Sequence, residues 1–110
     1  MSNPSASLMR SIREMAKRIV AGFDPERIIL FGSQARGDAG PDSDVDLLVV
    51  LPVEGSRLEK AIEIRGALRD IHVPKDIVVV TPDDFRWRKE IPGTIERPAA
   101  REGVVLYART

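Results

Sequence analysis

The chain has 110 residues, the size of one small domain, and we expect residues 1–110 to form a single domain with its own core. Its 17 basic residues balance 17 acidic ones, and this net charge of zero argues against a general nucleic-acid coat, which needs a basic surface. The absence of cysteine excludes a disulfide framework and thiolate metal sites. Since neither a signal-peptide pattern nor a membrane-spanning apolar run is present, we expect a cytoplasmic protein.

The first half of the chain predicts a helix followed by two strands. Apolar residues recur at helical spacing between Leu8 and Val20, and Gly22 with Asp24-Pro25 should end that helix. Two apolar runs are typical of buried strands, and a glycine-rich loop separates them. The predicted elements are a helix over 8–20, a strand Arg27–Phe31, a loop 32–41 with one helical turn at 33–36, and a strand Asp44–Leu51.

The second half predicts a helix, a strand, two short helices and a closing edge strand. Ser56 and Glu59 form a capping box at the start of the first of these helices. Its buried face should consist of Leu58, Ala61, Ile62, Leu68 and Ile71. A strand Lys75–Thr81 follows, then a short helix after Thr81-Pro82, a last helix Thr94–Glu102 with Gly103 as its C-terminal cap, and a strand Val104–Tyr107.

This alternation of helices and strands predicts an α/β (α+β) fold. We expect a small mixed β-sheet with the helices packed mainly on one face.

Two of the acids stand at i and i+2 at the start of the second strand. Side chains at this spacing point to the same side of a strand, so Asp44 and Asp46 should project together. Carboxylates this close repel one another and favour a cation between them, and Mg²⁺ prefers such oxygen ligands together with substrate phosphates. Asp76 begins the next strand and would join the cluster if the two strands are neighbours, as a metal ligand and as a general base.

The turn before these acids suits a phosphate chain. Gly32 lets the backbone turn and lets a phosphate approach, while Ser33 offers a hydroxyl and a backbone N–H at the start of a helical turn. Arg36 can add a charge-assisted contact to a triphosphate. Each of these features also has a simpler interpretation. The Gly-Ser pair is compatible with an ordinary strand-to-helix turn, and the acids are compatible with the solvated start of a strand. Arg36 is compatible with an ordinary surface charge.

The segments Phe31-Gly-Ser-Gln-Ala-Arg-Gly-Asp38 and Ser43-Asp-Val-Asp-Leu-Leu-Val49 resemble the minimal nucleotidyltransferase (MNT) family of the polymerase-beta-like superfamily. The shared pattern is Gly-Ser, ten residues, Asp-x-Asp and a third acid, here Asp76. The closing segment Arg101–Tyr107 also looks like the usual end of the family, so the resemblance covers nearly the whole chain.

The resemblance implies ATP as the substrate and Mg²⁺, as two ions, held by Asp44, Asp46 and Asp76, with Gly32 and Ser33 at the phosphates. It further implies a hetero-oligomer with a HEPN-domain toxin, in which this chain is the antitoxin and transfers AMP to a tyrosine of the toxin. The absence of an acceptor-binding domain like that of larger relatives favours such a protein partner. Two alternatives stay open: an antitoxin that acts by binding alone, and a regulatory module that binds a nucleotide without turnover.

Overall fold

A four-stranded mixed sheet forms the centre of the protein, with the strands in the order β3-β2-β1-β4. The structure is a computed structural model that describes residues 5–40 and 43–109. Its elements, in chain order, are α1 (Ala6–Phe23), β1 (Arg27–Phe31), α2 (Ser33–Arg36), β2 (Val45–Val50), α3 (Arg57–Ala67), β3 (Lys75–Val80), α4 (Pro82–Arg88), α5 (Glu96–Glu102) and β4 (Val104–Ala108). Each predicted helix and strand is present, with shifts at some ends; Pro41, the last residue of the predicted loop, lies outside the described residues.

Helix α1 begins and ends where local hydrogen bonding changes. The Ser5 side chain accepts a hydrogen bond from the backbone N–H of Leu8, as is usual for an N-cap serine. The helix ends when Asp24 adopts a left-handed conformation (φ 50°), which its short polar side chain tolerates. The expectation that Gly22 helps to stop the helix was wrong, because Gly22 lies inside α1.

The pairing of the strands is mixed, as predicted. Strand β1 is antiparallel to both β2 and β4, whereas β2 and β3 are parallel. The parallel pair is connected by α3, a crossover of the kind that parallel strands require. Because β2 and β3 are parallel, both strands start at the same end of the sheet. Since β3 is an outer strand, these starts also lie near one edge.

The apolar residues form two clusters, one on each face of the sheet. The larger cluster is covered by the long helices α1 and α3, with Met15, Ile19 and Ile64 fully buried. The smaller cluster includes Phe85 of α4 and Ala99 of α5, so the two short helices cover part of the opposite face. The predicted α/β class and the mixed sheet are confirmed, and the two long helices share one face as expected.

Helix α3 presents a different face to the sheet from the one predicted. Leu58 and Ile62 were expected to be buried, but their exposed fractions are 72% and 62%. Leu68 is fully buried and Ala61 and Ile71 pack against the same cluster, as predicted, whereas the fully buried Ile64 was not part of the predicted face. The capping box placed the start of the helix correctly, since Ser56 accepts a hydrogen bond from the backbone N–H of Glu59 at 3.1 Å. The apolar positions alone did not fix the rotation of the helix about its axis.

No helix within the described parts of the chain combines the length and the hydropathy that crossing a bilayer requires.

Candidate active site

Two of the predicted acids lie side by side on neighbouring strands. In the parallel β2–β3 ladder Asp46 stands opposite Asp76, at the second position of each strand. Along β2, Asp46 shares one side of the strand with Leu48 and Val50, which belong to the cluster on the face opposite α1 and α3. Both carboxylates therefore project from that second face, at the end where the strands begin. Asp46 is half-buried and Asp76 is exposed.

The charges around Asp46 show that the acids converge. Burial raises the pKa of Asp46, and the neighbouring charges of Asp76 and then Asp44 raise it further, while Arg36 lowers it. A raised pKa means that the ionised form of Asp46 is unfavourable until a cation approaches. The carboxylates therefore form a negatively charged cluster whose mutual repulsion a nearby cation would reduce.

Asp44 lies one residue before β2 and is exposed. The predicted strand Asp44–Leu51 is thus shorter at both ends, and the i, i+2 argument for Asp44 and Asp46 does not strictly apply. Within residues 5–40 and 43–109, no three or more carboxylate or imidazole groups are already assembled as a metal cage. This donor set still fits Mg²⁺ at a nucleotide site, because that ion is usually held by one or two carboxylates together with substrate phosphates.

Gly32 closes tightly against Asp46. Phe31 is the register partner of Asp46 across the β1–β2 ladder, so the next residue, Gly32, passes directly over the carboxylate. A Cβ atom at Gly32 would overlap Oδ2 of Asp46. The backbone of Gly32 also has φ 76° and ψ −157°, a region that is essentially restricted to glycine. Only glycine at this position allows both the turn and the close approach.

Helix α2 places the other predicted phosphate-binding residues next to the acids. Gly32 is its N-cap and Ser33 its first residue, which is half-buried. Arg36 ends this single turn; it is exposed and paired with Asp38 at 3.1 Å. Since the charge of Arg36 acts on Asp46, its guanidinium lies on the side of the acids. The structure thus brings the turn and the acids together, as the spacing predicted.

Two residues that support the site were not singled out from the sequence. Gln34 is buried, and its side-chain amide donates to the carbonyl oxygen of Ser43 at 3.3 Å, which ties α2 to the segment just before β2. The Ser43 hydroxyl accepts a hydrogen bond from the backbone N–H of Gly40 at 2.9 Å. The sequence signal for Gln34 is weak. It is a polar residue between the Gly-Ser pair and the Asp-x-Asp motif, and its position alone does not predict that its side chain is buried.

Lys75 is the second residue that supports the site and was not singled out from the sequence. It faces the long helices, and its ammonium group donates to the carbonyl oxygen of Ile71 at 2.8 Å. Burial lowers the pKa of Lys75, and the charge of Arg65 adds to this effect while Asp70 opposes it. The strand pattern contained the signal, because Lys75, Ile77 and Val79 alternate with Asp76, Val78 and Val80 and so share one face.

A sequence profile of the nucleotidyltransferase domain family matches residues 9–100, which include every element from β1 to β3 and all the residues described above. The chain belongs to the nucleotidyltransferase domain family. The predicted resemblance to nucleotidyltransferases is confirmed, and nucleotidyl transfer is the class of activity of this enzyme.

Known proteins resemble this nucleotidyltransferase in sequence and in fold. A candidate protein adenylyltransferase of Methanocaldococcus jannaschii is 33% identical over 82 residues, which make up 74% of this chain and 78% of that protein. A solved structure of a candidate minimal nucleotidyltransferase has 29% identity and a TM-score of 0.58, and the match covers 94% of this chain and 98% of that one. A toxin–antitoxin crystal structure with AMP-PNP has the same fold, with 20% identity, a TM-score of 0.56, and coverage of 89% and 74% of the two chains.

Proposed function

We propose that this nucleotidyltransferase transfers AMP from ATP to a tyrosine hydroxyl of a HEPN-domain toxin, and that it acts as the antitoxin of that partner. The observation that carries the proposal is the β2–β3 register, which sets Asp46 opposite Asp76 beside the Gly32 turn. The name of the Methanocaldococcus relative supports a protein acceptor, and the toxin–antitoxin structure with AMP-PNP supports the choice of partner and nucleotide. The HEPN identity of the partner rests on the motif resemblance.

Asp44, Asp46 and Asp76 are the residues that would hold Mg²⁺ in this proposal. When bound, Mg²⁺ neutralises charge on the triphosphate and favours displacement at the α-phosphate. The three carboxylates already repel one another, as the raised pKa of Asp46 indicates, so cation binding relieves a strain that is present in the free protein.

The turn at Gly32 would hold the phosphate chain. The absence of a Cβ at Gly32 leaves room for phosphate oxygens beside Asp46, and Ser33 presents its backbone N–H and hydroxyl at the same edge. Arg36 would exchange its exposed pairing with Asp38 for a contact with a phosphate oxygen. An exposed ion pair of this kind contributes about 0–1 kcal/mol, so the exchange costs little.

The chemical step is an in-line displacement at phosphorus. The tyrosine oxygen forms a new bond to the α-phosphorus, and the bond between that phosphorus and the oxygen bridging to the β-phosphate breaks. Asp76 takes the proton from the attacking hydroxyl, and pyrophosphate leaves with the electron pair of the broken bond. The exposed position of Asp76 at the outer strand suits the residue nearest the incoming acceptor.

Transfer of label from α-³²P-ATP to the purified partner, in the presence of Mg²⁺, tests the proposal. We expect labelling of the partner by the natural chain and a loss of at least about 100-fold in the Asp44→Ala/Asp46→Ala variant. The Glu54→Ala/Glu102→Ala variant is the matched control, because it also removes two exposed carboxylates but lies outside the site.

Labelling that survives loss of both aspartates would contradict the assigned roles. If the Asp44→Ala/Asp46→Ala variant still neutralised the toxin fully, without any transfer, binding alone would explain the antitoxin effect.

A further inference from the structure

A second recess lies at the end of the sheet opposite the acids. It has a volume of about 300 Å³, and Phe85 and Val50 form part of its wall. Val50 pairs with Arg27 at one end of the β1–β2 ladder, whereas Asp46 pairs with Phe31 at the other. Val50 lies four residues after Asp46, which separates the two sites by about 13 Å along the strand, at the usual rise of a strand. The recess is therefore distinct from the candidate active site.

Positive charge dominates this recess. Its cationic lining residues are Arg27, Arg86, Lys89 and Arg109, and a single acid, Glu26, lines it with them.

Two of the four cations have carboxylate partners and two do not. Arg86 pairs with Asp83, and Arg109 pairs with Asp24 at 2.9 Å. The ion pairs among the described residues include neither Arg27 nor Lys89.

Arg27 and Lys89 share an aromatic ring in place of a carboxylate. The guanidinium carbon of Arg27 lies 5.9 Å from the centroid of the Phe85 ring, and the ammonium nitrogen of Lys89 lies 5.6 Å from it. An exposed cation–π contact contributes only about 0.5–1 kcal/mol, so one ring does not neutralise two charges that also repel one another. A multiply charged anion bound in the recess that both residues line would offset this repulsion.

The geometry points to a binding site for a phosphate-group anion of the size of pyrophosphate, formed by Arg27, Lys89, Arg86 and Arg109. Arginine matches phosphate oxygens with paired N–H donors, and several cations that line one recess favour an anion with more than one charge. The small volume fits a short phosphate chain and not a folded polymer. The zero net charge of the chain likewise argues against a long nucleic acid. The anion has two sources, free pyrophosphate and the phosphate chain of a nucleotide.

Isothermal titration with sodium pyrophosphate, at low ionic strength and with EDTA, tests this site. EDTA removes divalent cations, so the acids repel the anion and the recess is measured alone. We expect one saturable site with a Kd below about 1 mM, and at least tenfold weaker binding in the Arg27→Gln/Lys89→Gln variant. The charge-preserving Arg27→Lys/Lys89→Arg variant should bind more tightly than the Arg27→Gln/Lys89→Gln variant, because both positive charges remain although the paired N–H donors move from position 27 to position 89. A parallel titration with ATP distinguishes the sources: the tighter ligand is the one that the site recognises.

The Arg13→Gln/Lys17→Gln variant is the matched control, since it removes one arginine and one lysine from α1, remote from the recess. Equal weakening in this variant would overturn the proposal, because only the net charge would then matter. Absence of saturable binding would also overturn it.

Chemical-shift mapping on the natural chain decides the question if the Arg27→Gln/Lys89→Gln variant does not fold. Amide shifts on adding pyrophosphate should concentrate at Arg27, Phe85 and Lys89. Shifts confined to residues 32–36 and 44–46 would place the anion at the active site and overturn the proposal. This outcome is independent of nucleotidyl transfer, since the measurement uses neither a metal nor an acceptor.

Discussion

Gly32 and Asp46 restrict each other more than any other pair in the site. The glycine has a backbone conformation that other residues avoid, and it leaves no room for a side chain above the carboxylate. The carboxylate is in turn half-buried and surrounded by Asp44 and Asp76, which raises its pKa. Both features oppose folding of the metal-free chain, and both position groups for phosphate and cation binding.

Substitution of Gly32 by alanine should damage both stability and activity. We expect the free energy of unfolding to fall by roughly 1–3 kcal/mol because of the backbone conformation, and we expect AMP transfer to fall as well because the new Cβ would displace the Asp46 carboxylate. Urea denaturation and the AMP-transfer assay measure the two effects. Gly55→Ala is the matched control, because Gly55 also has a positive φ (98°) but has open space at its Cβ position. Equal losses in the two variants would contradict a role for the contact with Asp46.

The raised pKa of Asp46 predicts a pH-dependent stability without metal. A carboxyl whose pKa is higher in the folded than in the unfolded chain favours folding when it is protonated. Stability should therefore rise as the pH falls through the folded-state pKa, down to the unfolded value near 3.9. We expect Asp46→Asn to be more stable than the natural chain at neutral pH in EDTA, and this advantage to shrink in acid. Urea denaturation at several pH values measures it; a less stable variant at neutral pH would be the opposite result.

At the scale of the elements, the parallel pairing of β2 and β3 decides whether Asp76 lies beside Asp44 and Asp46. Lys75 faces the long helices and donates to Ile71, and the backbone N–H of Val45 donates to the carbonyl oxygen of Pro74. These contacts fix the register in which Asp76 faces Asp46. A shift by one residue would turn Asp76 to the opposite face of the sheet.

Helix α3 gives a direct test of the corrected face. The Leu58→Ala/Ile62→Ala variant should change the free energy of unfolding by no more than about 0.5 kcal/mol, because both side chains are exposed. Ile64→Ala should lose about 2–5 kcal/mol, since Ile64 is fully buried in the larger core cluster. Urea denaturation of both variants makes the comparison. A larger loss of stability in the double variant than in Ile64→Ala would mean that Leu58 and Ile62 are buried, as the sequence predicted.

The sequence predicted the elements and the place of the Gly32 turn beside Asp46 because both depend on short-range patterns, whereas the place of Asp76 depended on the pairing of β2 with β3. Apolar runs next to Gly32 and after Asp46 define two strands, and the spacing then places the turn beside the acids. The rotation of α3 about its axis could not be predicted from the sequence, since Leu58, Ile62 and Ile64 are all apolar and only the packed partner distinguishes them.

The conformation of Gly103 could not be predicted either. Gly103 caps α5 in an extended conformation, and glycine is needed there because a Cβ would overlap Ile29.

At the scale of the whole molecule, the two faces of the sheet differ: one carries the larger core cluster and the other carries the candidate active site. The long helices cover the larger core cluster on one face, while the opposite face carries the acids at one end and the cationic recess, which α4 lines, at the other. Opposite charges at the two ends of one face are compatible with a net charge of zero. The core on the first face therefore stabilises the fold without depending on the site residues.

Ligand binding should consequently stabilise the whole fold. A nucleotide that binds only the folded chain, at 100 times its Kd, adds about 2.7 kcal/mol to the free energy of unfolding. We expect ATP with Mg²⁺ to raise the melting temperature of the natural chain, and we expect the Asp44→Asn/Asp46→Asn variant to lose this gain. Differential scanning fluorimetry measures the shift, with ATP in EDTA as the control. An equal shift in the variant would mean that the nucleotide binds elsewhere.

The place of Asp76 on the outermost strand bears on the size of the acceptor. Its carboxylate is exposed at a margin of the sheet where the described chain places no further strand. Under the proposed reaction, a folded macromolecule as large as the enzyme can present its tyrosine sideways, without threading a loose tail into a deep cleft. Access would then be set by how two rigid bodies meet, and the choice of target would depend on surface fit more than on the few residues flanking the modified tyrosine.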